Sequence, residues 1–384
     1  MKLLPLLSLA SLLLAASACT TDDDCEQLGA CNAGKCECLS GWTGPSCGSL
    51  ALAPAPAATA YQWPLPAAPN ASSWGFSRVF DPTDGLYHAL AAVACGRLGV
   101  IGDGGGDSFI VHLVSPTGLG GDWALAAKQP LWAPQTTFGP HVVRAPDGNF
   151  VAVFRVNVLL NATLCPGDGP APDPAMAGDP AIPYASLVSG DPELGTSIYI
   201  AWAPAMAGPW SAVRTNITGM GALHKSNPSI FPLTSPAGKW GMAYRYNDHG
   251  ERNAFAIADG FKGPWQWVAN MTESPGNDED PFLWQIPGQA GIAHIIYHNG
   301  PHGFHNWGSV EAGAAAWRSS PTNAFAFTLQ ASLTDGTQIS FLRRERPELL
   351  LDARGSPTGL LNGVTVGAGA QEQARSFLQP VRQK

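Results

Sequence analysis

One repeated pattern constrains the fold of this chain more than any other feature. It consists of an apolar strand, a turn-rich loop and a tryptophan that opens the next strand. The pattern occurs at residues 110–115 with Trp123, at 198–203 with Trp210, and at 254–258 with Trp265. Recurrence of one supersecondary unit indicates a repeat architecture, in which each unit buries its apolar face against the next.

A second pattern interleaves with the first and consists of two apolar strands joined by a turn rich in Pro, Gly, Asp or Asn. Such turns are typical of β-hairpins. The pattern recurs at residues 78–92, 141–155, 227–245, 280–298 and 346–364. Units of about 60 residues have the size of large propeller blades. The sequence therefore predicts an all-β fold, a five-bladed β-propeller over residues 70–384, with a β-sandwich as the alternative.

A helical fold is disfavoured, because no long stretch has a 3.6-residue apolar period and the chain contains 44 Gly and 34 Pro. Charged residues make up only 13% of the chain, and its net charge is -8. Without a basic stripe, the sequence predicts no nucleic-acid partner. Residues 49–69, rich in Ala and Pro, are predicted to form an extended linker.

The first 18 residues have the pattern of a secretory signal peptide. Lys2 supplies the positive charge, residues 3–14 the apolar segment, and Ala-Ser-Ala at 16–18 the cleavage site. The apolar segment is too short to span a membrane, and no later stretch is longer. We therefore expect a secreted protein without a membrane span. A bacterial lipoprotein signal, with Cys19 after the cleavage site, is the alternative.

Six cysteines follow the signal segment between positions 19 and 47. They are Cys19, Cys25, Cys31, Cys36, Cys38 and Cys47. In an oxidising compartment such a cluster predicts disulfides rather than a zinc site, and the spacing alone leaves the pairing open. The remaining Cys95 and Cys165 are predicted to form one further bridge, with two buried free thiols as the alternative.

Residues 36–47, with the sequence CECLSGWTGPSC, resemble the C-terminal signature of the EGF-like domain. The resemblance covers residues 19–48 and implies a small disulfide-rich module with the pairs Cys19–Cys31, Cys25–Cys36 and Cys38–Cys47. Acidic residues follow the first cysteine instead of preceding it, so we expect no calcium site. The module is a candidate surface for an extracellular protein partner.

Four Asn-x-Ser/Thr sequons predict N-glycosylation of a secreted chain. They begin at Asn70, Asn161, Asn216 and Asn270. No cofactor is predicted. The glycine-rich run at 102–107 lacks the lysine and helix of a phosphate-binding loop, and the histidines near position 300 lack the spacing of a helical metal site.

The candidate site follows from propeller geometry, because residues at the starts of the five inner strands converge on one mouth of the central channel. By that rule the site draws on polar residues that precede otherwise apolar strands. These are Ser77 or Arg78, His141, Asn227, Glu279 with Asp280, and Glu345 with Arg346. Arg245 at the end of the third hairpin is a further candidate contact. Trp284 is a candidate sugar-stacking residue, with packing between blades as the alternative.

The chain resembles the five-bladed propeller glycoside hydrolases, the clan of arabinanases, xylosidases and invertases. The resemblance rests on the Gly-Pro-Trp units, on Asn227-Pro228-Ser229-Ile230-Phe231, and on Glu279-Asp280-Pro281. It implies that Glu279 is the general acid of a glycosidase. Asp280 and Glu345 are the other candidate catalytic carboxylates, and His141, Asn227, Arg245, Arg346 and Trp284 are candidate substrate contacts.

The chain departs from that family where the general base is expected. The first inner strand reads Gly75-Phe76-Ser77-Arg78, without a carboxylate, and Asn227 stands where the family has an aspartate. Two functions are consistent with these residues. One is an extracellular glycoside hydrolase that acts on a polysaccharide, and the other is a non-catalytic propeller that binds glycan or protein.

Overall fold

The structure, a computed structural model, is nearly all β in the part of the chain that it describes. That part comprises residues 18–62, 72–94, 108–118, 122–128, 136–157, 197–219, 224–247, 251–272, 277–311, 317–320, 322, 324–366 and 373–384. Within these ranges no helix is long and apolar enough to cross a membrane. The predicted all-β, five-bladed propeller is confirmed.

The N-terminal module contains a short 3₁₀ helix, Asp22–Cys25, and two pairs of short strands. The strands are β1 (Gly29–Asn32) paired with β2 (Lys35–Cys38), and β3 (Trp42–Thr43) paired with β4 (Ser49–Leu50). The disulfides are Cys19–Cys31, Cys25–Cys36 and Cys38–Cys47, the pairing that the EGF-like resemblance implies. A module this small buries too little apolar surface to fold without such bridges.

The five blades are antiparallel sheets whose first strands face one another around a central axis. Blade 1 comprises β6 (Ser72–Asp81), β7 (Leu86–Ala94), β8 (Ser108–Ser115) and β9 (Ala124–Lys128). Blade 2 comprises β10 (Thr136–Arg144), β11 (Phe150–Asn157), β12 (Ser197–Ala203) and β13 (Ser211–Arg214). Blade 3 comprises β15 (His224–Pro232), β16 (Trp240–Asn247), β17 (Glu251–Ala258) and β18 (Trp265–Asn270), with β14 (Ile217–Thr218) parallel to β18.

Blade 4 comprises β19 (Asp278–Trp284), β20 (Ile292–Asn299), β21 (His302–Ser309) and β22 (Trp317–Ser319). A separate hairpin, β23 (Gln330–Ser332) with β24 (Gln338–Ser340), precedes blade 5. Blade 5 comprises β25 (Arg343–Leu351), β26 (Pro357–Val366) and β27 (Gln373–Pro380). Its fourth strand is β5 (Tyr61–Gln62), from the N-terminal side of blade 1. Pairing of β5 with β27 joins the two ends of the propeller.

The predicted linker differs from expectation in its described part, residues 49–62, because these residues are packed instead of extended in solvent. Ala55 and Ala60 are buried in an apolar cluster with Phe377. The backbone at Leu52 pairs with Val381, and the backbone at Ala55 pairs with Leu333. Small alanine side chains let this segment lie close against blade 5. The domain boundaries at 18/19, 48/49 and 69/70 stay predictions.

Neighbouring inner strands are joined by hydrogen bonds from a backbone N–H to a side chain of the preceding blade. The Ser77 hydroxyl accepts from Val142 N (2.8 Å), and the Ser229 hydroxyl accepts from Leu283 N (2.9 Å). His141 Nδ1 accepts from Ile230 N (3.1 Å), and Glu348 Oε1 accepts from Arg78 N (3.2 Å). The equivalent position on blade 4 is Phe282, which has no acceptor. Buried polar backbone groups that face the axis are satisfied in this way.

The repeated tryptophans pack against neighbouring strands, as the packing interpretation predicts. Trp210 and Trp265 are buried in two different apolar clusters, and Trp123 packs edge-on against Phe76. Trp210 also donates from Nε1 to the carbonyl oxygen of Met206. Their recurrence therefore reflects the repeated packing of the blades.

The N-terminal module is docked on blade 4 through a fully buried glutamate. Glu26 has no exposed surface, and its carboxyl group contacts His305 Nδ1 (3.1 Å) and accepts from the Ser46 and Ser320 hydroxyls. The ring of His305 in turn contacts His294 Nδ1 (3.1 Å). Around this centre, Arg318 forms an ion pair with Asp23 of the module. The contact is thus both buried and hydrogen-bonded, unlike a flexible attachment.

Replacing Glu26 with alanine is expected to destabilise the whole chain by about 3 kcal/mol, because it removes one partner from a buried hydrogen-bonded pair. Thermal and denaturant unfolding of the intact protein would measure the change. The matched control is Glu37→Ala, since Glu37 is an exposed glutamate of the same module. Equal stability of the two variants would show that the Glu26 contact does not stabilise the fold.

Candidate active site

Five equivalent positions on the inner strands have a left-handed backbone and stand at a bulge in the pairing with the second strand. The residues are Gly75 (φ 81°), Gly139 (φ 61°), Asn227 (φ 49°), Asp280 (φ 54°) and Arg346 (φ 49°). Each blade shows a register shift at this point. The bulge changes the direction of the strand where it reaches the axis. Bulges of this kind are common beside active sites.

Proline follows four of these five positions: Pro140, Pro228, Pro281 and Pro347. A proline cannot donate to the ladder and disfavours the right-handed helical conformation of the residue before it, which fits a bulge. A left-handed backbone costs little for glycine, more for asparagine and aspartate, and most for arginine. The strained backbone at Arg346 is held in place by the surrounding structure, including the ion pair of its side chain with Asp280.

The Arg346 side chain lies across the axis towards blades 1 and 2. A Cβ atom on Gly75 would stand 2.7 Å from Arg346 Nε, and one on Gly139 would stand 2.6 Å from Arg346 Nη2. The guanidinium also lies over the ring of Phe138, 5.2 Å from its centroid. Glycine is therefore required at both positions for steric reasons as well as for the backbone conformation.

Below this guanidinium the channel narrows to a small cavity of about 20 Å³, enough for one water molecule. Its lining includes Asp280, His141 and Glu348. Burial raises the pKa of Glu348 to about 8. Burial also lowers the pKa of His141 to about 3, with a further contribution from the Arg346 charge.

Asp280 is held by two partners from different strands. Arg346 Nη1 donates to Asp280 Oδ1 (2.8 Å), and His298 Nε2 lies 3.2 Å from Asp280 Oδ2. Burial lowers the pKa of His298 to about 4 in spite of the nearby Asp280 charge. A neutral His298 donates from Nε2 to Asp280, which agrees with its buried Nδ1 having no hydrogen-bond partner.

Glu279, the predicted general acid, is beside Asp280 but is held by blade 3. Arg245 Nη1 donates to Glu279 Oε2 (2.5 Å) and also to Glu251 Oε1 (2.8 Å). Burial, together with the Asp280 charge, raises the pKa of Glu279 to about 9, although Arg245 acts in the opposite direction. About a quarter of the Glu279 side chain is still exposed. Burial thus favours the protonated form of Glu279, and part of its side chain is accessible to solvent.

Glu345 is the third candidate carboxylate and approaches the same nitrogen of His298 as Asp280 does. Arg343 binds both of its oxygens, through Nε and through Nη2 at 2.9 Å. His298 Nε2 is 4.0 Å from Glu345 Oε2. Burial raises the pKa of Glu345, against the effect of Arg343. The structure thus brings Glu279, Asp280, Glu345, Arg245 and Arg346 together at one mouth of the channel.

His141 lines the same small cavity as Asp280 and Arg346, whereas Trp284 lies away from the mouth. His141 is two residues beyond Gly139, the blade 2 residue that is equivalent to Asp280, and its ring accepts from blade 3 inside the channel. Trp284 is fully buried beneath the N-terminal module, where it stacks on Trp42 with ring centroids 6.2 Å apart. The expectation that Trp284 lines a sugar-binding surface is therefore wrong. A tryptophan near the end of an inner strand gives no sign in the sequence that a separate module covers it.

Asn227 is buried at its bulge, and its side-chain oxygen has no hydrogen-bond partner among the residues that the structure describes. Two residues that the sequence analysis did not include in the site are Glu251, which contacts Arg245, and His298, which contacts Asp280. The sequence carried one sign of His298, its clustering with His302 and His305. Glu251 had none, because its relation to Glu279 depends on how two blades meet.

Several predicted features lie outside the described residues: Cys95, Cys165, Asn70, Asn161 and residues 1–17 of the predicted signal segment 1–18. Asn216 and Asn270 are described, and both are exposed. The Asn270 side chain accepts a hydrogen bond from the Tyr246 hydroxyl (3.0 Å). Glycosylation at the four sequons and the Cys95–Cys165 bridge stay predictions.

A metal-binding arrangement is one chemical capacity of this mouth. Glu279, Asp280 and His298 offer ligand atoms that all lie within 4.8 Å of one another. Two of the three are already paired with guanidinium groups, from Arg245 and Arg346. These cations supply the positive charge that the two carboxyl groups need, so the geometry does not require an ion. The absence of a metal site stays a prediction.

Comparison with known proteins agrees with this two-part architecture. A family model described as "Teneurin-like EGF domain" matches residues 21–49. The chain therefore carries an EGF-like domain of this type, and such domains with their disulfides are typical of extracellular proteins. No curated protein sequence is significantly similar to the chain.

Among solved structures, the propeller is similar to glycoside hydrolases. The catalytic domain of a Coprinopsis cinerea GH62 α-L-arabinofuranosidase has 14% identity and a TM-score of 0.54, covering 86% of this chain and 98% of that one. The α-L-arabinofuranosidase PaAbf62A from Podospora anserina, solved with cellotriose, has 11% identity, a TM-score of 0.53 and coverages of 86% and 98%. Zg3597, a family 117 glycoside hydrolase from Zobellia galactanivorans, has 11% identity, a TM-score of 0.51 and coverages of 90% and 90%. These similarities show a fold shared with the propeller clan of glycoside hydrolases.

Acidification is expected to destabilise the propeller through its buried histidines. Because the folded-state pKa of His141 is far below the usual value, the unfolded chain binds the extra proton, and stability is lost as pH falls from about 6.5 towards 4. His141→Gln retains an acceptor for Ile230 N but cannot titrate. Urea unfolding gives the free energy of unfolding at pH 7 and at pH 5. The decrease between these two pH values should be smaller in the variant than in the native protein by roughly 1 kcal/mol or more. An identical loss in both proteins would exclude this role for His141.

Proposed function

We propose that this chain is a secreted glycoside hydrolase that binds an extracellular polysaccharide at the propeller mouth and cleaves it with Glu279 as general acid. The observation that carries the proposal is the protonated, accessible Glu279 beside a second carboxylate, Asp280, that two donors hold. Two neighbouring carboxyl groups in unlike environments are what acid-assisted glycoside cleavage needs. The similarity in fold to carbohydrate-active propellers supports the same reading.

In this mechanism the Glu279 carboxylic acid donates its proton to the oxygen of the leaving sugar. Asp280, held by Arg346 and His298, faces the developing positive charge on the other sugar ring or attacks its anomeric carbon. The ligand oxygens of Glu279 and Asp280 are at most 4.8 Å apart. This is nearer to the roughly 5 Å of retaining enzymes than to the roughly 6.5–9.5 Å of inverting ones, so we propose retention of configuration.

The burial of His298 and the paired arginines also matter to the chemistry. A neutral His298 donates to Asp280 without adding a positive charge that would lower the pKa of Glu279. Arg245 and Arg346 fix the two carboxyl groups in place before substrate arrives. Such preorganised groups lose little entropy in the transition state, because they are already oriented.

A second candidate, a glycan-binding propeller without hydrolysis, is favoured by the position of Arg346. Its guanidinium fills the space beside Gly75 and Gly139, so blades 1 and 2 place no carboxylate at the bulge positions. The acidic groups described at the mouth, Glu251, Glu279, Asp280 and Glu345, belong to blades 3, 4 and 5. A mouth with acids on one side only can hold a polar ligand through hydrogen bonds without cleaving it.

We also propose that the signal segment directs secretion, that the sequons carry glycans, and that the EGF-like module contacts an extracellular protein. Signal cleavage before Cys19 would release a chain whose module folds through its three disulfides. The acidic composition and the lack of a basic stripe support the absence of a nucleic-acid partner.

The test is a screen of the secreted protein on aryl-glycosides and on plant and algal polysaccharides, with Glu279→Gln in parallel. We expect sugar release by the native protein and a loss of about 100-fold or more in the variant, since it cannot donate a proton. Asp259→Asn is the matched control, because Asp259 is an exposed acid whose ion pair lies on blade 3 away from the mouth. Retained activity in Glu279→Gln would refute the assignment of the acid.

The pH dependence gives an independent check of the same assignment. Because the acid must be protonated, activity is expected to fall as pH rises through about 9. If no substrate is cleaved but the protein retains glycans in an affinity assay, the binding function replaces the hydrolase. NMR of the released sugar would show whether its anomeric configuration is retained.

A further inference from the structure

We propose that Asp81, Asp84 and His88 form a binding site for a divalent transition-metal ion, of which zinc is the representative, at the end of blade 1 remote from the channel mouth. The three residues lie on the hairpin that joins β6 to β7. One potential ligand atom from each lies within 4.8 Å of the other two. The proposal does not depend on the proposed function, because it involves none of the residues of the mouth.

The hairpin turn lies far from the mouth along the same inner strand. Asp81 is the last residue of β6 and follows Gly75, the bulge residue of blade 1, by six positions. At about 3.3 Å per residue of strand, the two positions are roughly 20 Å apart. The hairpin cluster is therefore separate from the group formed by Glu279, Asp280 and His298.

Hydrogen bonds from the backbone of the turn orient both aspartates. Asp81 Oδ1 accepts from Thr83 N (2.9 Å), and Asp84 Oδ1 accepts from Leu86 N (2.9 Å). The turn does not use the second oxygen of either carboxyl group. Asp84 Oδ2 lies 2.9 Å from His88 Nε2. Two ligands of one zinc ion are roughly 3.0–3.4 Å apart, so a shift of a few tenths of an ångström would admit the ion.

Asp81 has a property that an ordinary turn does not explain. Only 6% of its surface is exposed, and its Oδ2 atom has no hydrogen-bond partner within the described ranges. A carboxylate of a buried residue is costly when one of its oxygens lacks a partner, and a bound cation removes that cost. The unpartnered oxygen therefore indicates a ligand beside Asp84 and His88.

The hairpin cluster also lacks the positive charge that the mouth has. At the mouth, arginines form ion pairs with two of the three potential metal ligands. Among the residues with described positions, no lysine or arginine forms an ion pair with Asp81 or Asp84. Arg144, on the neighbouring blade, lies over the ring of Phe150. A divalent cation would neutralise both carboxylates, which a single histidine does not.

A second histidine orients His88 as a ligand. Both rings are buried, and His88 Nδ1 lies 2.9 Å from His112 Nε2. When His88 Nδ1–H donates to His112, the lone pair of His88 Nε2 is left for the metal, and a fixed second nitrogen of this kind is usual for histidine ligands. Imidazole combined with carboxylates suits zinc and related ions better than calcium or magnesium. The Asp84 side chain is 43% exposed, which gives the ion a path from solvent.

The test is zinc binding by the secreted protein after treatment with a chelator and dialysis, measured by isothermal titration calorimetry. We expect the native protein to bind zinc, and Asp84→Asn to weaken this binding by about 100-fold or more, because the variant loses a charged ligand. Asp84 is exposed, so the variant should fold normally, which circular dichroism would check. The matched control is Asp259→Asn, which removes an exposed aspartate from blade 3 and should bind zinc like the native protein.

Thermal unfolding gives a second readout of the same site. An ion that binds the folded protein and not the unfolded chain raises Tm. With excess zinc, we expect Tm to rise by a few degrees in the native protein and in Asp259→Asn, but not in Asp84→Asn.

The variant Glu279→Gln distinguishes the hairpin site from the mouth. It removes one potential ligand at the mouth and none at the hairpin, so zinc binding that depends on Asp84 should persist in it. Loss of zinc binding in Glu279→Gln together with full binding in Asp84→Asn would place the ion at the mouth and refute the proposal. Absence of zinc binding by the native protein, or equal affinity in the native protein and Asp84→Asn, would also refute it.

Discussion

Five inner strands can meet around one axis only if each bends as it reaches the centre, and the left-handed residue at each bulge supplies that bend. The rest of the mouth depends on this constraint. At the bulge the backbone turns so that residues adjacent in sequence, such as Glu279 and Asp280, can both contribute to one site. After the bend, backbone N–H groups of an inner strand are satisfied by side chains of the preceding blade, as in the hydrogen bonds from Val142, Ile230 and Leu283.

The mouth is electrostatically balanced by three arginines that each bind a particular carboxyl group. Arg245 holds Glu279, Arg346 holds Asp280, and Arg343 holds Glu345. Buried carboxylates without such partners would be costly, and each pairing fixes a side chain in one orientation. Arg245 also contacts a second acid, Glu251, so the carboxyl groups of blades 3 and 4 share one guanidinium.

The sequence predicted the blades because the repeats of strand, turn and tryptophan recur at regular intervals. It also located Glu279 and Asp280 at the start of the fourth inner strand, because a Glu-x-Pro segment opens that strand, while their roles stay predictions. The extra residue at each bulge, which sets the place of His141 two residues further along its strand, is not visible in the hydrophobic pattern. Trp284 was assigned to a sugar-binding surface because burial beneath a separate module is a tertiary property. Glu251 could not be found, since its partner lies on another blade.

The packing of residues 49–62 could not be predicted from the sequence, for a related reason. Alanine and proline are typical of linkers in isolation, yet they also fit closely against a sheet whose edge is otherwise open. Whether such a segment is extended in solvent or packed depends on a surface far away in sequence, here blade 5 and its β27 strand. Local composition alone contains no information about that surface.

The buried contact of Glu26 with His305 has a geometric consequence for anything that binds the N-terminal module. Because the module is fixed on blade 4, a partner attached to it is held at a set distance and angle from the channel mouth. The chain would thus hold a partner of the module and a ligand at the mouth in a fixed relation to each other. If the module were bound to an extracellular partner, the channel mouth would face one fixed direction relative to that partner. The distance between the partner and the mouth would then be set by the size of the propeller.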